Sequence, residues 1–129
     1  MKVNRQTQYQ PRYFYPFRES DMKTVVYNKL VRDKIPEIIH SHGKTANCAV
    51  MPEEEYVEAL ETKLSEELEE YLAGKEPEEL ADLLEVFYAL LKARGIPFED
   101  LERIRAEKAE QRGGFEKRIK LISVEESAE

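Results

Sequence analysis

PEELADLLEVFYALLKA, running from Pro77 to Ala93, is the stretch whose reading decides the fold. A helix over these residues is apolar on almost every side, and helices of that kind normally lie inside a bundle. The same stretch nevertheless carries Glu79, Asp82 and Glu85. Residues three apart are neighbours on a helix, with β-carbons about 5–6 Å apart, so the three acids form one slanting stripe. An ionised carboxylate in an apolar interior costs on the order of several kcal/mol unless something pairs with it. The preceding segment, KLSEELEEYL, adds Glu66, Glu67, Glu69 and Glu70. Acid facing acid across a bundle calls for a divalent cation.

The flanking punctuation predicts the remaining elements. Pro52 followed by Glu53, Glu54 and Glu55 opens a helix, because proline and acids both suit a first turn. That helix is expected from about Glu53 to Ala73, with Val57, Leu60, Leu64, Leu68 and Tyr71 on one stripe and Gly74 closing it. The short connection from Gly74 to Pro77 makes the two helices antiparallel neighbours. Gly95 and Pro97 repeat the stop-and-start signal, so a further helix spans about Phe98 to Arg112 and ends at Gly113 and Gly114. Upstream, Asp33 is the expected N-cap of a short helix ending near His42 and Gly43, with His40 and His42 capping carbonyls. TVVYNKLV (24–31) and KTANCAVM (44–51) read as short extended pieces or linkers, and FEKRIKLISV (115–124) as a terminal strand or hairpin partner. The expected fold class is therefore all-α, an antiparallel helical bundle with a short C-terminal strand or hairpin element. Residues 1–23 read as a loosely ordered extension, 24–124 as the helical domain and 125–129 as a solvated tail.

With 129 residues the chain forms one core rather than two. Its net charge of −7 speaks against nucleic acid as a partner of the body. Six Lys/Arg against two Asp/Glu in residues 1–29 leave −11 for the rest. No run approaches the roughly 18 apolar residues of a membrane span, and the N-terminus lacks the apolar centre of a signal peptide. Cys48, the one cysteine, fits a reducing cytoplasm and is expected as a small core residue.

The chemistry centres on two acidic pairs. Glu67 and Glu70 stand at i, i+3 beside the apolar stripe of one helix, and Glu79 and Asp82 stand at i, i+3 on the next. Antiparallel packing brings the pairs face to face. Hard oxygen donors without His or Cys select Mg²⁺, or Mn²⁺, over zinc. Magnesium held by a few carboxylates keeps several waters and completes its shell with substrate phosphates.

EExxE at Glu66–Glu70 followed by ExxD at Glu79–Asp82 resembles the all-α nucleoside triphosphate pyrophosphatases, the MazG-like superfamily that includes phosphoribosyl-ATP pyrophosphohydrolase. The resemblance extends through YNKLVRDKIPEII (27–39), KLSEELEEYLAG (63–74), EELADLLEVFYALLKARG (78–95) and KAEQRGGFEKRIKL (108–121), four blocks covering about residues 22–122. It implies that Glu67, Glu70, Glu79 and Asp82 ligate Mg²⁺, and that Glu66 is a further ligand or a base positioning the attacking water. It also implies hydrolysis of a nucleotide between its α- and β-phosphates, giving a monophosphate and pyrophosphate, as in house-cleaning of non-standard nucleotides. The spacer of eight residues between Glu70 and Glu79 is shorter than in many such proteins, which leaves open which glutamate of the first helix is inner-shell.

Phosphate also needs cations. Lys29, Arg32 and Lys34 flank the first short helix, and Lys108 and Arg112 precede the glycine pair; these five are the expected phosphate contacts. Because one helix pair cannot bury so apolar a helix, a homo-oligomer, dimer or tetramer, with a four-helix core is expected. Two other functions fit the same residues: phosphoribosyl-ATP pyrophosphohydrolase of histidine synthesis, and a non-catalytic nucleotide-binding helical oligomerisation module.

Overall fold

The computed structural model describes residues 22–128. The expected N-terminal extension lies outside them save for Met22 and Lys23. The described chain is all-helical: α1 (Ile35–Ser41), α2 (Glu53–Gly74), α3 (Pro77–Ala93) and α4 (Phe98–Arg112).

Helices α2 and α3 form an antiparallel hairpin that carries the tertiary packing. Only Lys75 and Glu76 connect them, so the chain must reverse within two residues. Lys75, not Gly74, takes the left-handed conformation of the helix end (φ +61°), and its N–H donates to Tyr71 O at 2.7 Å. The Lys75 ammonium then lies 5.6 Å from the centre of the Tyr71 ring, a cation–π contact. At the start of α3, Pro77 fills the first helical position and Glu79 reaches back to accept the Glu76 N–H at 3.1 Å. This satisfies one of the orphan amides of the first turn.

The sequence places α2 and α3 in an apolar core, yet that core is thin. Among the described residues, Leu60 at 3% exposure, Val86 and Leu91 are the buried apolar ones. Leu68, Leu80, Leu84 and Tyr88 remain about half exposed. A groove of about 620 Å³ runs between the helices, lined by Leu64, Leu68, Leu80, Leu83, Leu84 and Phe87 among others. Helix α4 buries no side chain; its visible anchor is an edge-to-face contact of Phe98 with Tyr88, centroids 5.8 Å apart.

Several local expectations are corrected. The first helix starts at Ile35 with Lys34 at the N-cap position and no side-chain cap, so Asp33 does not cap it. His42 does cap: its Nδ1–H donates to Ile38 O at 2.8 Å. Residues 115–124 form no strand, and none is found among the described residues. Their alternating apolar pattern finds no strand to pair with, and a lone strand gains no ladder hydrogen bonds or packed face to offset its ordering. Segments 24–31 and 44–51 are likewise irregular. Cys48 is exposed rather than a core residue, because its linker packs on nothing large.

Candidate active site on the acidic face of the hairpin

The two sides of the α2–α3 hairpin differ in chemistry. At 100° per residue, Leu64 and Leu68 face the apolar groove while Lys63, Glu66 and Glu70 point to the other side. Glu67 sits between the two sets, at the helix–helix seam, and is the buried charged residue among those described, at 7% exposure. Lys63, one turn earlier, places Nζ 3.5 Å from Glu67 Oε2 and 3.7 Å from Glu66 Oε1. One ammonium thus serves two carboxylates. The i, i+4 spacing of Lys63 and Glu67 carried this signal in the sequence.

On α3, Asp82 is half-buried and its Oδ1 accepts a hydrogen bond from Arg32 Nη2 at 2.7 Å. The segment before α1 is therefore tied to α3 across fifty residues of chain. Glu79 is half-buried, with its carboxylate folded over the last turn of α2: a β-carbon added at Gly74 would stand 2.5 Å from both carboxylate oxygens. Glu70 is exposed on α2, and Glu85 on α3. The two-residue connection puts Glu70 about level with Asp82 and Glu67 about one turn further from the turn.

The candidate cations are placed unevenly. Arg32 reaches the acidic face directly. Lys29 lines a cavity of about 350 Å³ between the N-terminal segment and α2, together with Tyr27, Asn28, Leu30, Lys63 and Glu66. Asn28 turns the chain there in the left-handed conformation (φ +47°). Lys34 is exposed at the start of α1. Lys108 and Arg112 are exposed on α4, and neither forms an ion pair among the described residues. The structure does not bring these two to the acids of their own hairpin.

Among the described residues no three His, Cys, Asp or Glu side chains converge to hold a metal. Glu79 is occupied as a cap, Asp82 by Arg32, and Glu66 and Glu67 by Lys63. The donor set is nonetheless all oxygen and partly withdrawn from water, which suits Mg²⁺. That ion typically binds through one or two carboxylates plus substrate phosphates rather than in an all-protein cage.

These features define a class: an all-helical protein whose hairpin offers one apolar groove and one carboxylate-rich face with cations already seated on it. No protein-family model matches the chain, and no solved structure matches it. It is similar to an uncharacterized protein of Mycolicibacterium smegmatis, 44% identical over 46 residues, 36% of this chain. The chain spans about half of that protein's length, 47%.

Proposed function

We propose that the protein is a Mg²⁺-dependent nucleoside triphosphate pyrophosphohydrolase, with Mn²⁺ as a substitute ion. The observation that carries this reading is a glutamate, Glu67, kept at 7% exposure on the hairpin helix that also carries Glu66 and Glu70. Stability alone gives no reason to hold a carboxylate there, since an apolar residue of like volume is generally as good or better. The resemblance of the acidic blocks to MazG-like pyrophosphatases points the same way.

In this reading Glu67, Glu70, Glu79 and Asp82 supply the carboxylates that hold the ion, which when bound lowers the charge of the triphosphate and acidifies water. Glu66 orients the attacking water and takes its proton. The water oxygen bonds to the α-phosphorus, and the bond from that phosphorus to the α–β bridging oxygen breaks. A nucleoside monophosphate and pyrophosphate leave. Arg32, held on Asp82 by a hydrogen bond, swings to phosphate when substrate arrives, and Lys29 and Lys34 flank it. The substrates are non-standard nucleotides in the cytoplasm, and two or more copies pair through the apolar groove into a four-helix core.

One observation favours a second reading. Lys63 and Arg32 already compensate Glu66, Glu67 and Asp82 within the chain, as suits a helical oligomerisation module that binds nucleotide without cleaving it. A panel of standard and damaged triphosphates, assayed for pyrophosphate with Mg²⁺ and with a chelator, separates the two. Mg²⁺-dependent release from at least one member supports the enzyme; binding without release supports the module.

A further inference from the structure

The last quarter of the chain is badly matched to its own body. Helix α4 has 15 residues and buries none of them, while an isolated helix of that length is marginal in water. Beyond it, Phe115 is 95% exposed, Ile119 80% and Leu121 75%, with Ile122 and Val124 little better covered. The segment is not featureless: Arg118 N–H donates to Phe115 O at 3.1 Å, and Arg118 closes this turn in the left-handed conformation (φ +56°). A shaped segment with a row of apolar side chains in water is the signature of a surface meant for another molecule.

Charge indicates which molecule. Residues 112–124 carry Arg112, Lys117, Arg118 and Lys120 against Glu116, a net +3. Residues 53–93, the α2–α3 hairpin with its turn, carry fourteen Asp/Glu against Lys63, Lys75 and Lys92, a net −11. Within one chain no ion pair joins the two, for residues 112–124 form none among the described residues. The acidic side of the hairpin also holds the cavity of about 350 Å³ whose lining includes Leu30, Met51 and Ala59, a seat for an apolar side chain beside the carboxylates.

We propose that the C-terminal segment of one copy, Gly113 to Val124, lies across the acidic face of the hairpin of a second copy, seating apolar side chains there and delivering Lys117, Arg118 and Lys120 to that copy's site. The occupant of the acidic face is thus the protein itself, and each site is built from two chains. This deepens the pyrophosphohydrolase reading, on which the delivery of cations to triphosphate rests; the docking itself does not depend on it. The arrangement also explains why Lys108 and Arg112 stand clear of their own acids: they lead the segment outward.

Two experiments on the full-length protein test this. The first is sedimentation velocity over a range of concentrations, comparing wild type with Lys117→Glu/Arg118→Glu/Lys120→Glu and with Ile119→Asp/Leu121→Asp. Far-UV circular dichroism confirms that the helices persist. Docking in trans predicts a self-associating wild type and a dissociation constant raised about tenfold or more in both variants. A monomeric wild type, or variants that assemble as the wild type does, overturns the proposal. Should the charge variant fail to fold, Lys117→Ala/Arg118→Ala/Lys120→Ala at low and high salt takes its place.

The second experiment mixes two variants, Asp82→Asn and the triple alanine variant, after exchange of subunits. Cations acting in trans restore pyrophosphate release to about a quarter of wild type, since random pairing leaves half the dimers hybrid, each with one intact site. Cations acting in cis leave the mixture as inactive as its parts, which overturns the delivery of cations. A wild type that assembles through the segment but releases no pyrophosphate refutes the enzyme reading and leaves the docking standing.

Discussion

Arg32 Nη2 stands 2.7 Å from Asp82 Oδ1, and this contact ties the irregular segment before α1 to the first half of α3. Both side chains are about half exposed, and ion pairs of that kind contribute no more than about 1 kcal/mol. Arg32→Gln is therefore expected to move the melting temperature by only about 5 °C or less. If Arg32 turns to phosphate, the same substitution raises KM about tenfold or more. Thermal melts and steady-state kinetics on one variant read both outcomes; a large loss of stability with unchanged KM makes the residue a mere strap.

Leu60 is the most buried side chain of a very thin core. Leu60→Ala removes its packing and leaves a cavity, at a cost of about 2–4 kcal/mol. In a domain with few other buried apolar groups that loss is a large share of the total. Urea unfolding is expected to show a much lower midpoint; a shift of less than about 1 kcal/mol means that another copy supplies most of the core.

Gly74 leaves room for the Glu79 carboxylate. Alanine there gains up to about 1 kcal/mol of helix propensity, but its β-carbon would press on both carboxylate oxygens. The flexible end of Glu79 moves aside, and its hydrogen bond to Glu76 N–H, of comparable worth, is lost. Gly74→Ala is thus expected to leave stability within about 1 kcal/mol while disturbing Mg²⁺ dependence. Titration of activity against Mg²⁺ is the check; an unaltered titration removes Glu79 from the ion's surroundings.

How much of this was legible in the chain depends on how local each cause is. The bounds of α3 and α4 follow from Pro77, Gly95 and Pro97, whose backbone restrictions act within a residue or two. Helix α2 runs one residue past its expected end, and Lys75, with its ammonium over Tyr71, takes the left-handed turn that follows Gly74. Lys63 could have been read from its spacing to Glu67. Arg32 was expected as a phosphate contact, but its pairing with Asp82 was invisible, since nothing local joins residues fifty apart. The expected strand at 115–124 failed for a related reason: alternation specifies a strand's faces but not the partner it needs.

On α4, Arg105 donates two hydrogen bonds to the Glu102 carboxylate, at 2.9 and 2.6 Å. The hydrogen bonding from Arg105 holds Glu102 below the ordinary glutamate range, opposed by desolvation and helped by the guanidinium charge. A depressed carboxyl contributes stability above its unfolded pKa, about 4.3, and loses it as pH falls through the folded value. The difference in helix content between wild type and Glu102→Gln is expected to be constant at neutral pH and to shrink below about pH 4.3. A difference that grows on acidification assigns the wrong sign to the pair.

The most direct test is pyrophosphate release by wild type and Glu67→Gln side by side, with Mg²⁺, on the best triphosphate of a panel. Glutamine keeps the shape of the buried side chain but removes its charge, so the helices should persist. The expected result is Mg²⁺-dependent release by wild type, reduced about 100-fold or more in the variant with unchanged circular dichroism. Equal release by both proteins, or none by wild type with any triphosphate, contradicts a hydrolytic role for the acidic hairpin.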